Sequence, residues 1–344
     1  MTNLKHFLVS AASAALLAAC SDPASTPPAA STAPAAETAS VPADTGSEQP
    51  VLSAETVRLN AWFEEVFQRN VARSPMTQTF LGMKTNYDQW NDASPEYDRE
   101  DFELGQADLA YMLASFDFDS LDESAQLSWR LFEYNAQRAA DGQRWVDHGY
   151  TFTPRSGPHM NSPTFLINNH RIDDVSDAEA YIGRLRNLGP YLDQNIANAR
   201  RSFELGVSTP DWTYPPMIRT AQNIITGAPF DDGDDSPIMA DFRGKVAALG
   251  LPQDEADQLL ADASAALRDV VAPAYGRIIA LFEEQAGSAS SDDGIWKHPD
   301  GGEYYNYLLN GYTTMDISAE EIHQLGLSEV ARIHDEMRGI MEQV

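Results

Sequence analysis

One period recurs along most of this chain: apolar residues return every three or four positions, and no stretch of useful length alternates apolar with polar as a half-buried strand would. Leu59, Phe63, Val66, Phe67 and Val71 trace one helical face before Pro75. A second helix is expected over residues 98–115. Leu127, Leu131, Tyr134 and Arg138 trace a further face, and Leu185, Leu188, Leu192, Ile196 and Phe203 another, with Pro190 inside it as an expected kink and Gly206 as its stop. Pro215-Pro216 opens a shorter helix through Ile218, Ala221 and Ile225. Pro252 opens a long one through Leu259, Leu267, Ile278 and Phe282 to Gly287. Three S-x-x-E patterns, at Ser120/Glu123, Ser176/Glu179 and Ser318/Glu321, predict capping boxes, in which the serine and glutamate side chains satisfy the free amides of a helix start. The fold class is therefore all-α: a multi-helix domain of predominantly long, kinked helices.

The last of these boxes leads into Ile322, Leu325, Val330, Ile333, Met337 and Ile340, an apolar stripe running to Val344 with no Gly, Pro or basic turn to close it. Such a stripe requires a partner surface. The expectation is that the domain over 53–344 is truncated at its C-terminal end, so that a missing portion or a partner chain covers the last helix.

The chain divides into three parts. Residues 1–20 carry Lys5 and His6, a short apolar core from Phe7 to Leu17, and Leu17-Ala18-Ala19-Cys20. The core is too short for a permanent membrane span and reads as a signal peptide. It resembles the bacterial lipobox, which implies lipidation at Cys20, the chain's only cysteine, and hence a membrane partner through that anchor. Lipoproteins of this class carry three acyl chains, and several chains anchor stably where one does not. Ser21 in place of Asp implies, by the same resemblance, the outer membrane facing the periplasm. Residues 21–52 are rich in Pro, Ala, Ser and Thr with no aromatic, a composition that cannot bury enough apolar surface to offset its ordering entropy and reads as a disordered tether. The helical domain follows over 53–344.

Charge removes whole classes of function. Acidic residues number 52 against 23 basic, a formal net charge of −29, which repels nucleic acid and anionic headgroups. No nucleic-acid partner is expected. No H-E-x-x-H pattern, phosphate-binding glycine loop, G-x-S-x-G elbow or dinucleotide fingerprint occurs. His323 and His334 fall on one helical face but about 16 Å apart along it, too far to share one ion. The acidic run Asp231-Asp232-Gly233-Asp234-Asp235 lacks the spacing of a calcium loop and reads as a solvated turn. No metal or cofactor is expected within this chain. His159, in a loop marked by Gly157 and Pro158, and the aromatic cluster of Trp296, Tyr304 and Tyr305 near Gly301-Gly302 remain as candidate cleft-lining residues; loops carry function more often than helices do, and tyrosine hydroxyls can polarise a carbonyl. His170, in Asn168-Asn169-His170-Arg171, is a weaker candidate of the same kind.

The stretch Trp296…Pro299-Asp300-Gly301…Tyr304-Tyr305…Leu308…Thr313-Thr314…Ser318…Glu320-Glu321-Ile322-His323…Gly326-Leu327…Glu329-Val330…Ile333…Met337 resembles the centre of the bacterial family of unknown function DUF885. The resemblance extends over roughly residues 53–344. It implies a helical, zincin-like metallopeptidase relative acting on short peptides. The family's metal signature, a His-Glu pair with a nearby Pro-Gly-His and a later Glu-Gly-Trp, is absent here, so no catalytic or metal residue carries over. The resemblance thus implies the N-terminal portion of a cell-envelope zinc peptidase whose metal site lies beyond residue 344. The rival expectation is a non-catalytic binding or scaffolding lipoprotein. Replacing Cys20 by Ala is expected to release the protein from membranes washed with salt and carbonate; retention in the pellet would refute lipidation.

Overall fold

Short polar side chains set the helix starts. In the computed structural model, which describes residues 51–343, Ser53 caps α1 (Ala54–Ala72) by accepting from the Thr56 amide, and Ser74 and Ser94 cap α2 (Pro75–Phe80) and α3 (Pro95–Ser115) in the same way. In α2 and α3 a proline occupies the first turn, where its missing N–H has no cost. The third helix thus starts three residues before the position read from the sequence. The signal peptide, Cys20 and nearly all of the tether lie outside the described residues.

Two of the three expected capping boxes are replaced by other bonds. α4 (Glu123–Asp141) begins at Asp122, not Ser120. Asp122 Oδ2 accepts from the Ser53 amide at 2.8 Å, and its own amide donates to Thr56 Oγ1 at 2.9 Å, so one aspartate clamps the start of α4 to the start of α1. Ser120 spends its carbonyl on Ser53 Oγ. α6 (Val175–Glu204) begins at Asp174, which accepts from the Asp177 amide, and Ser176 donates to that same carboxylate. Only Ser318 and Glu321 form the reciprocal box, at the head of α12 (Ala319–Met341).

The remaining elements are α5 (Pro158–Asn169), α7 (Tyr214–Ile224), α8 (Pro237–Ala248), α9 (Gln253–Ala266), α10 (Ala272–Ala286) and α11 (Gly301–Thr313). A π-helical segment, Leu267–Val271, joins α9 to α10 in one rod, as the unbroken period after Pro252 predicts. Pro190 sits inside α6 without ending it. Gly206, at φ +83°, ends it instead: the Gly206 amide bonds Phe203 O and the Val207 amide bonds Ser202 O, a Schellman turn that only a residue free of a Cβ adopts cheaply. Among the described residues the single departure from helix and coil is an isolated bridge between Ala228 and Asp235, beside the acidic run, where Asp231 accepts from the Gly227 and Gly233 amides.

Two hydrophobic cores result. The larger is built on Leu185, Leu188 and Leu192 of α6, packed against the α9–α10 rod and covered by α5, α7 and α8. The smaller joins Leu59 of α1, Met112 of α3, and Ala125 and Trp129 of α4. The α4 face differs from the expectation: Ala125 and Trp129 are buried, whereas Leu127 and Leu131 are 58 % and 54 % exposed. The helical period was legible there, but not which of two apolar faces turns inward.

Arg184 links the parts. Its guanidinium is fully buried and donates from Nε to Gln89 O at 3.1 Å, from one terminal nitrogen to His170 Nδ1 at 3.0 Å, and from the other to Thr79 Oγ1 at 2.6 Å. The rings of Tyr87 and Phe165 lie against it. Arg184→Ala leaves two buried acceptors, His170 Nδ1 and Thr79 Oγ1, without their donor and opens a cavity, so urea unfolding is expected to show a loss of about 3–5 kcal/mol. A loss below about 1 kcal/mol would show that solvent reaches the site.

Candidate functional site

His159 lies in the first turn of α5, behind Pro158, and is fully buried rather than set in a loop. Gly157 makes the entry possible. Its φ is +142°, and a Cβ there would come within 2.9 Å of Thr151 O and 3.0 Å of His159 Nδ1. The imidazole packs edge-on against Phe152 and Phe282, each at 5.5 Å between ring centres. The Tyr275 hydroxyl donates to the His159 carbonyl at 2.8 Å. Neither ring nitrogen has a protein partner. In this apolar box the charged form is disfavoured, and burial lowers the imidazole to about 4.

His170, at the C-terminal end of α5, is the opposite case. It is also buried, yet both nitrogens are used: Nε2–H donates to Asp177 O at 3.0 Å, and Nδ1 accepts from Arg184. Burial and the adjacent guanidinium lower it to about 3, so it is a neutral structural acceptor. Lys245 completes this end of α5, with Nζ donating to the carbonyls of Leu166, Ile167 and His170 at 2.9–3.0 Å.

A second polar cluster forms where residues 295–313 pack against the segment after α4. Asp300, at φ +52°, turns the chain into α11. His148 Nε2–H donates to Pro299 O at 3.1 Å, which fixes its tautomer. The Tyr150 hydroxyl bonds His298 Nε2, and His298 is 4 % exposed. Burial pushes the Tyr150 phenol up to about 12 and the His298 imidazole down. At neutral pH both are therefore uncharged, with the phenol donating. Tyr304 packs beside Trp145 and His148, with ring centres 5.4 and 5.1 Å away. Arg138 closes the lower edge, lying over the Tyr307 ring and donating to Tyr307 O and Asn310 Oδ1.

Between His159 and this seam runs a narrow cleft bordered by Tyr150, Phe152, Thr209, Tyr214, Phe282 and Gln285. Its free volume of about 20 Å³ holds about one water, not a peptide. The structure does not bring the candidate residues together. His159 stands in the core behind the cleft, Tyr304 in the seam, and Trp296 and Tyr305 face solvent at 68 % and 42 % exposure. Tyr150, His148 and His298 are the chemistry-bearing residues that the sequence reading missed. His298 lies inside the terminal run quoted above, but nothing in its spacing marks it as buried.

The arrangement can donate and accept neutral hydrogen bonds. Among the described residues no carboxylate bonds either His148 or His298; their ring nitrogens bond the Pro299 carbonyl and the Tyr150 hydroxyl. Among the same residues no three His, Cys, Asp or Glu side chains group so as to hold a metal ion, and His323 and His334 stand exposed on α12. The zinc that the family resemblance implies therefore finds no fitting donor set here. No helix among them is long and apolar enough to cross a membrane.

The unpaired His159 makes the fold sensitive to acid. The unfolded chain takes up this proton below about 6.5, the folded chain only below about 4, so stability falls as pH drops through that window. His159→Leu is expected to flatten the stability–pH curve there by up to about 1.4 kcal/mol per pH unit. An unchanged slope in denaturant titrations at several pH values would show that His159 is solvated.

Comparison with known proteins supports the helical assignment. The crystal structure of the "putative lipoprotein" from Colwellia psychrerythraea superposes with a TM-score of 0.70 at 21 % identity, covering 83 % of this chain and 50 % of that one. At this identity the likeness is one of fold alone. The chain thus spans about half the length of the solved structure it matches. A search of curated proteins finds no match. The family model for "Bacterial protein of unknown function (DUF885)" matches residues 75–344, from the first residue of α2 onward and leaving out α1. The chain belongs to the DUF885 family of bacterial proteins of unknown function.

Proposed function

We propose that this chain is the N-terminal part of a lipid-anchored cell-envelope protein of metallopeptidase type, held at Cys20 on the periplasmic side of the outer membrane and acting on short peptides. The observation that carries this reading is the coverage: the chain spans half of a solved structure described as a lipoprotein, and the apolar stripe of α12 stands in solvent. The peptidase assignment rests on the zincin-like resemblance of the terminal stretch. In this reading the described helices supply the scaffold and one wall of a substrate cleft, and the metal ligands lie outside them.

A second reading, a non-catalytic binding or scaffolding lipoprotein, draws on the site itself. Its imidazoles lack oriented carboxylates, and its cleft admits about one water. The two readings separate in one preparation. The complete gene product, purified from its own membrane, is expected to exceed the mass of the 344-residue chain, to carry stoichiometric zinc, and to hydrolyse short peptides in a chelator-sensitive way. The 344-residue chain should retain no zinc after dialysis. A longer product without zinc or hydrolysis would favour the binding reading, and a product ending at Val344 would exclude the peptidase.

A further inference from the structure

Three helices, α4, α11 and α12, carry an apolar face that is wholly or partly exposed, and each touches the next. On α4, Leu127, Leu131 and Tyr134 share one side and are 58 %, 54 % and 38 % exposed, while Ala125 and Trp129 fill the core from the other side. Arg138 continues the exposed row by one more turn, and its guanidinium lies on Tyr307 and Asn310 of α11. On α11, Tyr305, Leu308, Leu309 and Tyr312 follow the i, i+3, i+4, i+7 pattern of a single face; Leu308 and Leu309 are half-buried, and Tyr312 is 85 % exposed. On α12, which contacts α11, Ile333, Met337 and Ile340 stand in solvent, and no residue of the helix is buried. Isolated apolar side chains at a surface are ordinary; a belt of apolar rows on three touching helices is not, and such patches mark contact surfaces.

We infer that this belt is the seat of the second half of the same polypeptide: helices following α12 that pack against α4 as well as α12, so that the two halves share one interface. The inference rests on the proposal that the complete protein is longer. Its argument is the length of the solved match, which extends for as much chain again as is aligned here. The belt also explains why α4 carries two apolar faces: one closes the smaller core, and the other meets what comes later. The seat places the Tyr305 and Tyr312 rings at the junction between the halves, where a cleft wall would stand.

Thiol labelling tests this directly. With Cys20 replaced by Ala no native thiol remains among the 344 residues, and any cysteine in the rest of the complete gene product is replaced by Ser. Leu131→Cys, Met337→Cys and, as a control on α1, Val57→Cys are each placed in the 344-residue chain and in the complete gene product, and their reaction with a soluble maleimide is timed. Leu131→Cys and Met337→Cys are expected to react freely in the shorter chain and at least about tenfold more slowly in the complete protein, with Val57→Cys alike in both. Equal rates at Leu131→Cys in the two forms would overturn the inference, even if zinc and peptide hydrolysis uphold the longer enzyme. Protection already present in the shorter chain, together with a dimer on size exclusion, would assign the belt to a second copy and overturn it as well. A gene product ending at Val344 would remove this inference and the proposed function together.

Discussion

A single buried charge sets the arrangement of the larger core. Arg184 carries its guanidinium into the interior with no carboxylate bonded to it, and a cation taken from water must recover its hydration from fixed dipoles. Three neutral acceptors and the rings of Tyr87, Trp90 and Phe165 do this. Burial lowers the group only to about 10, so it stays charged. The acceptors come from α2, from the loop before α3, and from the turn between α5 and α6. Those segments are therefore fixed relative to one another by one side chain. Two neighbouring lysines reinforce it: Lys84 pairs with Asp177 at the head of α6, and Lys245 donates to the carbonyls at the tail of α5. Toward Arg184, His170 Nδ1 can serve only as a neutral acceptor, because a proton there would lie beside a charge of the same sign.

The position of the candidate site follows from this frame. α5 is fixed at its C-terminal end by Lys245 and Arg184, and at its N-terminal end it delivers His159 into an apolar box between Phe152 and Phe282. The stretch from Gly149 to Phe152 then passes outward to Tyr150, which reaches His298. The two histidines thus flank one short strand of coil, one without partners and the other bound to a phenol. The contrast follows from packing: His159 lies edge-on against the Phe152 and Phe282 rings, whereas His298 meets the Tyr150 hydroxyl.

Much of the fold could be read from residue spacing, and the failures have identifiable causes. The period of α6 and of the α9–α10 rod identified both helices, and Gly206 and Gly287 marked their ends, because those signals are local. The serine-based boxes at 120 and 176 failed because a nearby aspartate offered a better acceptor: Asp122 is drawn to Ser53, 69 residues away, a bond that no local pattern reports. The short helix α2 and the helix α8 lack a distinctive stripe and were not anticipated. His159 reads as a loop residue because Gly157 and Pro158 precede it, yet the same two residues are a helix entry. For the site, residue type was informative and depth was not. Tyr304 and Tyr305 are adjacent in sequence, and the rotation of α11 sends one toward Trp145 and the other to solvent.

The manner in which α12 is attached gives the 344-residue chain a graded resistance to proteases. Thr314, in the left-handed conformation at φ +56°, ends α11, and a short link carries the chain to Ser318. Beyond that link no side chain is buried, so α12 contributes little to either core and opens without disturbing them. A cut between Thr314 and Ser318 would remove the helix and leave both cores and the Arg184 frame standing. Cooperative unfolding would then report on residues up to about Thr313, while the remainder frays at the free energy of an isolated helix.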